Sequence, residues 1–163
     1  MRVLKKSQIQ NSGLNGTYFR TSQREGIKLF KNSYYSPQTL LARIKTRKLQ
    51  IIIQEATIGK FAGTTKSLEI IKYNGRYYLG IVQFHRGNPV HLVSSKVLNQ
   101  VRAKLRQQSI VHGDLHGKNI VRTKKQYYGI DFDPDHSYYV GDKKKYYTVK
   151  NNLIKALKDL SLS

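Results

Sequence analysis

Two hydrophobic periods alternate along the chain. In Gly26-Ile27-Lys28-Leu29-Phe30, Ile27 and Leu29 share one face and Lys28 takes the other, the two-residue period of a strand. Upstream, Gly13-Leu14-Asn15-Gly16-Thr17-Tyr18-Phe19 sets two glycines around a tight turn. Ser36-Pro37 reads as a helix start, Ser as cap and Pro at the first helical position, with Leu40, Leu41 and Ile44 following at helical spacing. The apolar run Ile51-Ile52-Ile53 leads into a helical segment over residues 54–62. Its stripe is Ile51, Ile58 and Ala62, and Glu55 is expected opposite much of that stripe. Strands return over residues 68–73 and 77–84, joined by Asn74-Gly75, a strong hairpin signal. Polar His85-Arg86-Gly87 ends the second. Ser94 caps a helix with Val97, Leu98, Val101 and Leu105 on one stripe. A short hairpin is predicted from Asn119-Ile120-Val121, a turn at Lys124-Lys125, and Tyr127-Tyr128-Gly129-Ile130. A last helix is expected near residues 153–160.

Composition adds an extreme charge. Thirty Lys and Arg against nine Asp and Glu give +21 over 163 residues, spread along the whole chain. Such a field suits nucleic acid, anionic lipid or an acidic protein surface, though codon bias toward Lys, Asn, Ile and Tyr gives the same composition. The five Tyr-Tyr pairs fit strands with one ring inward and one outward. The length suits a single domain, in one or two lobes. No apolar stretch approaches the roughly eighteen residues of a membrane span, and the basic N-terminus lacks a signal peptide's apolar region. With no cysteine, disulfide, thiolate and zinc-thiolate chemistry are excluded, which is compatible with the cytoplasm.

The scarce acids are not spread evenly. Asp114, Asp131, Asp133 and Asp135 all fall in or beside one segment, SIVHGDLHGKNIVRTKKQYYGIDFD, from Ser109 to Asp133. It holds His112, Asp114 and Asn119 as H-x-D-x-x-x-x-N, then a hairpin that returns Asp131 next to Asn119. Phosphoryl transfer needs a carboxylate near the attacking hydroxyl and oxygen ligands for magnesium beside the phosphates. One loop presents Asp114 and Asn119 together, and hairpin register supplies Asp131. Such a site also needs a strand lysine for the phosphates and a helix carboxylate to orient it. Lys28 is flanked by apolar residues, and Glu55 is the only acid between Glu25 and Glu69. The Gly13–Gly16 turn can bring backbone amides to phosphates, and Gln83, Phe84 and His85 end a strand where an adenine ring could pair with backbone groups. Gly113-Asp114-Leu115-His116-Gly117 also fits the opening motif of metallophosphoesterases. Those need further G-D and G-N-H clusters, and only Gly141-Asp142 follows.

On these motifs the chain resembles a minimal, atypical member of the protein-kinase-like superfamily, over roughly Gly13 to Asp133. The resemblance implies an α+β, bilobal fold. Its N-lobe, about 1–84, carries a five-stranded antiparallel sheet; a hinge lies at about 84–88, and a strongly reduced helical C-lobe at about 89–163. It implies ATP and magnesium, with Asp114 as the catalytic-loop Asp, Asn119 and Asp131 as metal ligands, Lys28 as the strand lysine and Glu55 as the helix glutamate. Departures are informative. Gly113 replaces the Arg of regulated kinases, His116 stands for the usual Lys, Asp131-Phe132-Asp133 lacks the final Gly, and no A-P-E follows. The H-G-D-L-H form is similar to RIO-type kinases, aminoglycoside phosphotransferases and lipopolysaccharide kinases. Only twenty-eight residues follow Asp135, similar to truncated effector kinases of the OspG type. That implies a partner protein that completes or stabilises the domain, and a cytoplasm (a host's, for an effector); with the +21 charge, an activating partner, protein or nucleic acid, is expected to be acidic. The expected activity is phosphorylation of a protein serine or threonine. The alternatives are a non-catalytic basic module for nucleic acid or an acidic protein, and a small-molecule or lipopolysaccharide kinase.

Overall fold

The computed structural model describes residues 1–13 and 16–162. Its elements run β1 (Val3–Leu4), β2 (Ile9–Ser12), β3 (Gly16–Arg20), β4 (Glu25–Tyr34), α1 (Pro37–Ala42), α2 (Arg47–Phe61), β5 (Thr65–Tyr73) and β6 (Arg76–Phe84). Then follow α3 (Ser95–Gln107), β7 (Ile110–His112), β8 (Ile120–Arg122), β9 (Tyr127–Gly129), β10 (Ser137–Tyr139) and α4 (Lys143–Leu162). The class is α+β. The main sheet has six strands in the order β1-β5-β6-β4-β3-β2. It is mixed rather than purely antiparallel, and larger than the five strands expected. The two-residue β1 adds an edge parallel to β5, Val3 opposite Lys72, too short to show a period in sequence.

The strand alternation is realised on both faces. Ile27 and Leu29 turn into one core with Leu4, Phe19, Ile71 and Val82. A second core lies between the sheet and the helices and joins Leu68, Ile70, Leu79 and Ile81 to Leu49, Ile52, Ile53 and Ala56 of α2. Between β5 and β6, Asn74 (φ 49°) and Gly75 (φ 75°) take the two left-handed positions that an Asn-Gly hairpin turn needs.

Two helices depart from expectation. The run Ile51-Ile52-Ile53 is not a prelude to a helix but the middle of α2, where Ile52 and Ile53 are buried and Ile51 is exposed. The last helix begins ten residues early and is twenty residues long. Lys143, Lys144 and Lys145 form its first turn instead of preceding it. Lysines oppose the helix dipole there, so sequence argues against a start. Asp142 offsets this by accepting the Lys144 N–H at 2.9 Å. Further along α4, Leu153 and Leu157 enter the same core as α2, β5 and β6. No helix among the described residues is long and apolar enough to cross a membrane.

A third core, with Ile58, Val101, Leu105, Ile110, Ile120 and Phe132, supports the chemistry-bearing loops. There β7 pairs with β10, His112 opposite Ser137, and β8 pairs with β9, Ile120 opposite Gly129.

Candidate active site

A cavity of about 360 Å³ opens beside the sheet. Gly13, Gly16, Lys28, Gln83, Phe84, His85, Asn119 and Asp131 all line it. Glu55 sits behind Lys28, and Asp114 lies beside the cavity against Asn119. At the glycine turn, the Gly13 N–H donates to the Gly16 carbonyl at 2.9 Å. The tip, Leu14-Asn15, lies outside the described residues. Gly16 must be glycine because a Cβ there would press on the Leu29 carbonyl of β4.

Lys28 is the centre of charge. Its Nζ lies 2.8 Å from a Glu55 oxygen and 3.4 Å from an Asp131 oxygen. Glu55 is only 4% exposed, so α2 turns it inward rather than out to solvent. Burial pulls the Lys28 ammonium down, but Glu55 and Asp131 together outweigh it and hold the group above its ordinary value. Burial pushes the Glu55 carboxyl up, with Lys28 opposing.

His112 ties the two aspartate segments together. Its Nε2 lies 2.8 Å from the Ile130 carbonyl, and its Nδ1 lies 3.2 Å from the Asp114 N–H. A neutral ring protonated on Nε2 satisfies both contacts. Burial, the largest influence, lowers its pKa and keeps that form. Asp131 follows in left-handed backbone, φ 62°. Such strain in a non-glycine residue is characteristic of functional positions and persists only when neighbours enforce it. The His112 contact to Ile130, and the Ile130 N–H donated to the Asn119 carbonyl at 2.9 Å, do so here.

The Asn119 amide nitrogen donates to the Asp114 carbonyl at 2.8 Å and lies 3.4 Å from its carboxylate. That fixes Oδ1 as the atom free to meet a cation. The Asp114 side chain is half exposed, with His116 at 3.6 Å and His136 at 3.9 Å. Among the described residues no three His, Cys, Asp or Glu side chains form a metal cage. A magnesium–phosphate site does not need one, since it uses one or two carboxylates and completes its shell with phosphate oxygens and water. An Asp131 carboxylate and an Asn119 carbonyl oxygen fit that requirement.

The residues expected to form a hinge contribute differently from expectation. The Phe84 N–H donates to Thr64 at 2.9 Å and the His85 N–H to Arg24 at 2.8 Å. Neither amide is available to a base, so both residues line the cavity with other atoms. Sequence reasoning missed Tyr18, which reaches His85, and Val121 and Ile130, which line the cavity. The β3 alternation held the signal for Tyr18: its neighbour Phe19 is fully buried, so Tyr18 shares the opposite face with its pairing partner Lys28. No family model matches the chain, and no curated protein matches it, so the geometry of the site is what speaks for its function.

Proposed function

We propose that the chain is a small phosphotransferase of protein-kinase-like, bilobal architecture, transferring the γ-phosphate of ATP with magnesium to a hydroxyl of a protein serine or threonine. The observation that carries this is the Lys28 ammonium held between Glu55 and Asp131 in a cavity that Asn119 also lines. The order of elements along the chain supports it. A lysine on a central strand, a carboxylate on the next long helix, a histidine-aspartate loop, a hairpin and a second aspartate follow one another as such chemistry requires.

Lys28 pairs with phosphate oxygens, and Glu55 holds it in place. Asp131 and Asn119 would hold magnesium, which neutralises charge on the phosphates. Asp114, open to solvent at the end of its loop, takes the proton of the acceptor hydroxyl. Gly113 leaves no cation before it, so a phosphorylated loop is not needed to align the site.

Labelled ATP and magnesium test this. Asp114→Asn should lose about 10²- to 10⁴-fold in transfer while ATP binding stays nearly intact. Asp131→Asn should weaken the part of ATP-induced thermal stabilisation that EDTA removes. Undiminished transfer by Asp114→Asn sinks the mechanism.

A further inference from the structure

Tyr18 projects from β3 on the face that carries Lys28, and its phenol does not stay above its own strand. It crosses β4 at Gly26, the one position where it can pass, because a Cβ there would overlap the phenol. Beyond Gly26 the hydroxyl meets His85 Nδ1 at 3.0 Å, and the rings lie within 24° of parallel, 6.0 Å apart. Burial pushes the phenol pKa up to about 12, and burial lowers that of His85. The pair is therefore a protonated phenol and a neutral imidazole sharing one hydrogen bond, with the His85 tautomer setting which of them donates. A second bond, Gln10 to Asn88 at 2.8 Å, also fastens the glycine hairpin to the segment after β6. Tyr18 and His85 line the cavity, and so do the apolar Val121 and Ile130.

We propose that Tyr18 is the base-binding residue of this site: its ring is the aromatic wall on which the purine of a nucleotide stacks, and its hydroxyl, latched to His85, holds β3 against the segment after β6 at the edge of the bound ligand. This rests on the nucleotide chemistry proposed above. The backbone geometry strengthens it. With the Phe84 and His85 amides committed to the Thr64 and Arg24 carbonyls, a base gains less from hydrogen bonds there and depends more on stacking.

The full-length chain, Tyr18→Phe and Tyr18→Leu are titrated calorimetrically with ATP and with inorganic tripolyphosphate, both with magnesium. Melting without ligand confirms that each is folded. Tyr18→Leu should weaken ATP about tenfold or more, in line with base–aromatic stacking, and leave tripolyphosphate unchanged. Tyr18→Phe should keep most of the affinity and release ATP faster, since it retains the ring and loses the latch. If Tyr18→Leu does not fold, Gly26→Ala serves instead: its methyl displaces the phenol and should produce the same selective loss. Equal ATP affinity in the wild type and in the Tyr18→Leu or Gly26→Ala variant overturns the stacking wall alone. Equal losses for ATP and tripolyphosphate assign Tyr18 to the fold and overturn it too. A wild type that binds neither ligand overturns the phosphotransfer reading and this one together.

Discussion

Lys28 has two carboxylate neighbours, and they differ in what its loss would leave behind. Asp131 is 38% exposed in its side chain, so water can take over its solvation. Glu55 is buried and cannot be rehydrated without moving α2. Lys28→Met should therefore destabilise the fold at neutral and higher pH by up to about 3–5 kcal/mol, the cost of stranding a buried charge. The sign with pH follows from Glu55. Its pKa is already raised by burial, and removing Lys28 takes away the main influence opposing that rise. A carboxyl whose folded pKa exceeds its unfolded value stabilises the fold when protonated, and that contribution is lost as pH rises through the folded pKa. The deficit of Lys28→Met against wild type should thus shrink as pH falls from 8 toward 5, measured by urea unfolding. A deficit independent of pH would mean that Glu55 finds another partner or never carries the charge.

At the level of elements, α4 packs with α2 against one face of the sheet. Leu153 and Leu157 are nearly inaccessible and share a core with Leu49, Ile52 and Ile53 of α2. Nearer the start of α4, Tyr146 stacks with Phe61, the last residue of α2, and with Tyr139 of β10. The helix that carries Glu55 is thus braced by the end of the chain. Leu157→Ala should cost about 2–5 kcal/mol and reduce phosphate transfer more than the melting shift alone explains, because α2 loosens; an activity loss that merely tracks the unfolded fraction would argue against the brace. Sequence made the longer strands β4, β5 and β6, the Asn-Gly turn and the aspartate loop with its hairpin legible, because each depends on neighbours in the chain. It could not show that α4 joins the core of the first half. That contact depends on packing between residues about a hundred positions apart, and the lysines of the first turn disguised the helix. Glu55 was legible as a candidate by the scarcity of acids, but its side of α2 was not. Three consecutive isoleucines leave the buried stripe ambiguous, and the sheet and α4 decide it.

Across the whole molecule, charge is divided unequally between buried pairs and open surface. Glu25 and Glu69 are taken by Arg2, with Lys66 also on Glu25, and Glu55 and Asp131 by Lys28. Asp114 and Asp133 stay with the candidate site. Little acid remains to offset the cations elsewhere: α3 has none, and α4 carries only Asp159 among its residues. The three exposed lysines of the first turn of α4 are the sharpest case, since they stand against the helix dipole and only the neighbouring Asp142 offsets them. A partner with dense negative charge would relieve that repulsion. Replacing Lys143, Lys144 and Lys145 with Ser should therefore move two quantities in opposite directions. The isolated protein should gain stability, about 0.3–1 kcal/mol per charge removed before screening, while affinity for an acidic protein or nucleic acid falls and ATP affinity is unchanged. For duplex DNA, neutralising five phosphates costs roughly 500-fold in affinity between 50 and 200 mM salt, and the triple variant should show a shallower slope. Melting curves and salt titrations on the same preparations separate the outcomes. A variant more stable in isolation yet equally avid would place the partner on another basic face, and the absence of any binding at low salt would make the charge a matter of composition rather than recognition.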